Sequence, residues 1–142
     1  MNANNSLPDF VAPAPATVRG YRIDVGLIGN YEWIVYPSGW LVTIRKLNSP
    51  FKAITYSAHQ CEVKCVSVAP NDRQIASGDA KGVIKIWEFN PKEFKIYEYN
   101  SFNTFTIPIL QVAWNTQSSK VALANEKGFI KVISVEIGTQ TG

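Results

Sequence analysis

The motif Ile75–Glu88, IASGDAKGVIKIWE, returns 46 positions later as VALANEKGFIKVIS. The correspondence is residue by residue: Val66 falls on Val112, Ile75 on Val121, Gly82 on Gly128 and Ile84 on Ile130. A third copy lies upstream at Ile34–Val42, IVYPSGWLV, with a turn two residues shorter and its Gly39 placed 43 residues before Gly82. A period of this length constrains the fold more than any single motif. Each unit must be a supersecondary module that buries its faces against its neighbours.

The content of the unit says what that module is. An alternating strand opens each copy, at Ile23–Leu27, Val63–Val68 and Leu110–Trp114. Polar turns follow, such as Pro70–Arg73 and Asn115–Ser119, and then a second apolar strand (IVY, IAS, VAL). The next turn holds Gly39, Gly82 or Gly128, a residue that accepts positive φ without strain. A fourth strand is expected at Lys52–Tyr56 and Phe94–Tyr99 in the first two copies. No stretch of 11 residues or more carries a helical period. Four antiparallel strands in a unit of this length describe a propeller blade. The expected fold is all-β, with about three four-stranded blades of an incomplete β-propeller. The expected layout is an extended leader at 1–19, then blades at 20–57, 58–100 and 101–142, the last without its outer strand.

Composition agrees with a packed domain: 142 residues, 46% hydrophobic and 18% charged. The net charge of +3 comes from basic residues scattered along the chain, too diffuse to argue for nucleic acid. Cys61 and Cys65, four apart on one strand, would stand roughly 13 Å from each other, too far to bridge. No apolar run approaches the roughly 18 residues of a membrane span, and the N-terminus lacks the pattern of a secretory signal. A cytoplasmic setting without membrane contact is the expectation.

The segment His59…Ile75-Ala76-Ser77-Gly78…Gly82…Trp87-Glu88 resembles a WD40 repeat, with Ala58-His59 for the family's Gly-His and Trp87-Glu88 for Trp-Asp. The resemblance implies a hydrogen-bonded set of His59, Ser77, an aspartate and Trp87 that pins the inner strands. Lys81 occupies the usual aspartate position, which predicts an incomplete set, with Asp79 as a substitute of altered geometry. Trp87 is replaced by Ile44 and Ile133 in the other copies, so those blades are expected to rely on packing. More closely, Asn48-x-Pro50, Tyr56-Ser57-Ala58-His59, Tyr97-Glu98-Tyr99 and Gln111-Val112-Ala113-Trp114 are similar in order to the N-terminal blades of the actin-interacting protein 1 family. That resemblance implies a non-enzymatic interaction module, with actin and cofilin as partners, a cytoskeletal location and a role in filament disassembly. The alternatives are a scaffold propeller in an unrelated complex and a truncated product without independent function.

Family members have more blades than this chain. One uncovered blade face amounts to roughly 400 Å², so leaving it wet forgoes on the order of 10 kcal/mol. Further blades or other chains are therefore expected to complete the ring.

Other chemistries are poorly served by these residues. Zinc would need four ligands, and His59, Cys61 and Cys65 are all the histidine and cysteine present. A Ser–His or Cys–His nucleophile would have to use His59, and no G-x-S-x-G elbow, P-loop or G-x-G-x-x-G occurs. Lys127–Ser134, KGFIKVIS, matches an RNA-binding octamer at four positions but has Ile130 and Lys131 where a small residue and an aromatic stacker belong. No catalytic residue, metal or cofactor is expected. Phe94–Phe105 concentrates aromatics, and Phe102 and Phe105 are expected in a loop between blades. With Lys81 and Lys127 they form the expected partner-binding set.

Overall fold

The computed structural model describes residues 24–28, 31–47, 53–71 and 73–135. All regular structure among them is β, with no helix. Eleven strands follow in order: β1 Asp24–Ile28, β2 Tyr31–Ser38, β3 Leu41–Lys46, β4 Ala53–Tyr56, β5 Val63–Val68, β6 Gln74–Asp79, β7 Val83–Asn90, β8 Lys95–Asn103, β9 Ile109–Trp114, β10 Lys120–Asn125 and β11 Ile130–Ser134. They form three separate antiparallel meanders: β1 to β4, β5 to β8, and the three strands β9 to β11. The described sheets stack without closing into a ring. The leader at 1–19 and the segment beyond Val135 lie outside the described residues.

The side chains explain the stacking. In the first sheet, Trp33, Val35, Val42, Ile44 and Tyr56 pack against Val63, Val66, Ile75, Trp87 and Phe89 of the second. The second sheet's other face puts Cys65, Ala76, Ile84 and Ile86 against Ile109, Val112, Val121 and Leu123 of the third. The middle sheet is therefore covered on both faces, and every residue of β6 is buried. Alternation delivers this, because neighbours along a strand serve opposite interfaces: Ile75 the first core and Ala76 the second. Polar atoms are used at the seams as well. Tyr56 Oη donates to Glu98 Oε1 at 2.9 Å, joining the first sheet to the second. Trp114 Nε1 donates to the Ser67 carbonyl at 3.0 Å, and the Asn71 amide donates to Ser118 Oγ at 3.0 Å, joining the second to the third.

Three details differ from the sequence expectations. The outer strand of the middle sheet runs to Asn103 rather than ending near Tyr99, and a bulge between Ile86 and Trp87 lets the longer strand stay in register. Phe102, expected in a loop, is part of that strand and lies opposite Ile84. Cys61 sits in the bend before β5 and not on a strand with Cys65. Both thiols are free.

Candidate functional site

The middle sheet carries a chain of polar side chains through its interior. Trp87 Nε1 donates to Ser77 Oγ at 3.0 Å. Ser77 Oγ lies 2.7 Å from His59 Nε2, and His59 Nδ1 lies 2.9 Å from Asp79 Oδ2. Donor and acceptor counting fixes the protons. An ionised Asp79 can only accept, so Nδ1 carries the hydrogen; Nε2 then accepts from the Ser77 hydroxyl, whose oxygen accepts from Trp87. Each group uses its partners fully with a neutral imidazole. Burial pushes the His59 pKa down, and the neighbouring Asp79 only partly offsets it. Burial alone would raise the Asp79 carboxyl, but His59 and the Val83 and Lys81 amides outweigh it, and the group sits below the usual carboxylate range.

The expectation of an incomplete set at Lys81 is corrected here. Asp79 closes the chain of bonds because it faces two ways. Its Oδ1 accepts from the Lys81 amide at 2.9 Å and the Val83 amide at 3.0 Å, which caps the turn. That frees Oδ2 to point back to His59. Lys81 itself is exposed in the turn. Tyr56 of the first sheet closes the remaining side, stacked on the Trp87 ring at 4.3 Å between centroids and edge-on to His59 at 5.9 Å. Its phenol pKa is pushed up by burial and by the bond to Glu98.

Serine, histidine and aspartate in this order also describe a hydrolytic triad. The surroundings argue against that use. Ser77 and Trp87 are both 0% exposed, and the hydroxyl is already held by the indole, so no substrate carbonyl has a path to Ser77 Oγ. What the arrangement does is lock β6, β7 and the loop carrying His59 into one geometry. Among the described residues, no cluster of three or more histidine, cysteine or carboxylate side chains is arranged to hold a metal ion.

The other sequence candidates are spread around the turns. Gly39, Gly82 and Gly128 all have positive φ, at 63°, 84° and 89°. Gly82 has a second constraint, since a Cβ there would lie 2.1 Å from the Phe105 carbonyl oxygen. That carbonyl group belongs to the loop that folds over the turn: the Thr104 and Phe105 amides donate to the Gly82 carbonyl at 3.0 and 3.2 Å. Phe102 and Phe105 are half-buried against the second core, and Lys131 Nζ stands 5.1 Å over the Phe105 ring. Lys127 is exposed in the third sheet's turn. The lock and the turns thus bring His59, Ser77, Asp79 and Trp87 together, but leave Phe102, Phe105, Lys81 and Lys127 as separate features. Sequence reasoning named Tyr56 only as a family landmark and placed Asn125 only in an exposed loop, without the stacking on Trp87 or the turn cap that the structure gives them. The Asn125 cap could have been found, since Asn125 lies 46 residues after Asp79 and shares its spacing to the turn glycine.

Residues 52–88, which contain the whole His59–Trp87 lock, match the WD40 family described as "WD domain, G-beta repeat". The chain carries a WD40 repeat there. It is 32% identical over 136 residues to actin-interacting protein 1 of Drosophila melanogaster, an alignment that covers 94% of this chain and 22% of that protein. It is 32% identical over 116 residues to WD repeat-containing protein 1 of Bos taurus, covering 81% of this chain and 19% of the relative. The chain therefore spans about a fifth of the length of these curated relatives. In fold it is similar to a chain in the crystal structure of the Chaetomium thermophilum polycomb repressive complex 2, with a TM-score of 0.70 at 16% identity over 83% of this chain and 26% of that one. That likeness concerns the fold alone.

Proposed function

We propose that this chain is a non-enzymatic protein-interaction module that binds actin and promotes cofilin-assisted filament disassembly, in the cytoplasm at the cytoskeleton. The observation that carries the reading is the similarity to actin-interacting protein 1, which extends over nearly the whole chain rather than over the WD40 motif alone. The internal geometry supports an interaction role. The buried polar groups His59, Ser77, Asp79 and Trp87 are taken up by one another in the lock, so the exposed turns and loops are left to carry recognition. Rigid sheets that hold short loops at fixed separations suit binding to an extended partner surface.

Co-sedimentation tests the proposal. The chain is expected to pellet with cofilin-decorated actin filaments in excess of its recovery with bare filaments, and to speed the loss of filament mass when cofilin is present. Equal recovery with bare and decorated filaments, with no effect on disassembly, would remove the actin assignment. A pull-down returning other proteins and little actin would then favour a scaffold in a different complex.

A further inference from the structure

The turns between the second and third strands of each sheet all stand at one end of the stack. Backbone bonds place them there. The Val63 amide donates to the Gly39 carbonyl at 2.8 Å, tying the first turn to the entry of the second sheet. The Ala80 amide donates to the Glu62 carbonyl at 2.9 Å, and the Glu126 amide donates to the Pro108 carbonyl at 3.1 Å. These last two bonds are counterparts, each joining a turn to the loop that enters its own sheet. With packed sheets about 10 Å apart, the first and third turns are separated by roughly 20 Å, a span of about six extended residues.

The residues flanking each turn glycine give this end its chemistry. Trp40 and Phe129 both directly follow their glycine, and they are 60% and 65% exposed. Lys81 and Lys127 both directly precede theirs and are exposed. Val83, which follows the middle glycine, is half-buried. Among the described residues, neither Lys81 nor Lys127 is paired with a carboxylate. The acids nearby are largely taken: Asp79 is held by His59, and Glu62 pairs with Lys64 at 3.2 Å. Lys131 adds a further cation, its Nζ donating to the Thr104 carbonyl at 2.7 Å. Glu126 is left as the exposed acid among these turn residues. Two large exposed aromatics beside unpaired cations form an amphipathic, positively charged crest.

We propose that this crest docks an acidic protein segment that also carries apolar side chains, with Trp40 and Phe129 taking the apolar groups and Lys81 and Lys127 the carboxylates. The surface goes beyond the interaction-module reading and does not depend on actin being the partner.

A direct test uses the full chain and a fluorescein-labelled, glutamate-rich peptide of about eight residues containing two leucines. The same peptide with glutamine for glutamate is the control, and binding is read by anisotropy at low salt. The chain should prefer the glutamate peptide by about tenfold, and added salt should erase the preference. The double substitution Lys81→Glu with Lys127→Glu should abolish the preference. Trp40→Ala with Phe129→Ala should weaken binding of both peptides. All four positions are exposed, so thermal midpoints should hold; Lys81→Gln with Lys127→Gln provides a milder second pair. The proposal is overturned if the unaltered chain shows no preference, or if either lysine pair retains the preference. A chain that prefers the glutamate peptide yet ignores filaments keeps this surface and loses the actin assignment.

Discussion

Asp79 and Asn125 occupy the same place in successive sheets and close their turns with the same pair of bonds. Asp79 Oδ1 accepts from the Lys81 and Val83 amides at 2.9 and 3.0 Å, and Asn125 Oδ1 accepts from the Lys127 and Phe129 amides at 2.9 and 3.1 Å. The second sheet alone adds a histidine. At the positions of His59, Ser77 and Trp87 the third sheet has Phe105, Leu123 and Ile133. Capping the turn and anchoring the histidine are separable tasks, and Asp79 performs both.

That separation makes a prediction. Asp79→Asn keeps an oxygen for the turn and loses the charge facing His59, so it should cost about 1–2 kcal/mol. Asp79→Ala strips the cap and leaves a buried imidazole unpaired, so it should cost about 3 kcal/mol or more. Urea midpoints measure both. Equal losses would mean that the turn does not depend on Oδ1.

Acid should unlock the middle sheet before it affects the others. His59 titrates below its ordinary 6.5 because burial disfavours the imidazolium; Asp79 and, more weakly, Glu98 oppose the shift, and Lys85 assists it. The unfolded chain therefore takes up this proton first as pH falls. Stability is full above 6.5 and declines as the pH drops through that value towards the folded one. Asp79 adds a second decline below its ordinary 3.8, since its carboxyl is also depressed. His59 is the single histidine of the sequence, so the upper window is its own. His59→Gln should be less stable at pH 7, with a urea midpoint that barely moves between pH 7 and about 5.

The period was the legible part of this fold. Alternating apolar residues at a spacing of 43 to 46 mark three sheets, and the turn glycines mark their tightest bends. The aspartate partner of His59 was less legible, because sequence position shows Lys81 next to Gly82 but not which way a carboxylate two residues earlier will turn. Tyr56 was hidden for a different reason. Its stacking on Trp87 and its bond to Glu98 depend on how two sheets lie against each other. The outer strand ran past Tyr99 because a bulge, invisible in the alternation, absorbed one residue. Phe102 and Phe105 read as a free aromatic loop, yet both have a core to pack against.

Alanine at the three turn glycines should separate backbone strain from crowding. Gly39→Ala and Gly128→Ala meet open space, so each should cost about 1–2 kcal/mol from the left-handed conformation alone. Gly82→Ala brings a methyl to 2.1 Å from the Phe105 carbonyl oxygen, and the loop from Thr104 must move to admit it. Its loss should clearly exceed the other two, with faster proteolysis between Asn103 and Pro108. Equal thermal shifts for all three variants would show that the loop does not rest on Gly82.

The two thiols should react very differently with a disulfide reagent. Cys65 is packed beneath the third sheet, its Sγ 3.5 Å from the Ile109 carbonyl, and burial pushes its pKa up to about 12. Thiolate, the reactive form, is scarce there, and the reagent has no approach until β5 and β9 separate. Cys61 is half-buried in a bend; burial and the nearby Asp79 raise its pKa too, but no sheet covers it. In the native chain at pH 8, one equivalent should react slowly, and mapping should assign it to Cys61. Urea should release the second equivalent along the unfolding transition. The Cys65 rate then reports how often the second and third sheets part, and destabilising Gly82 should accelerate it. Reaction of both thiols at one rate in the folded chain would mean that the β5–β9 contact does not persist in solution.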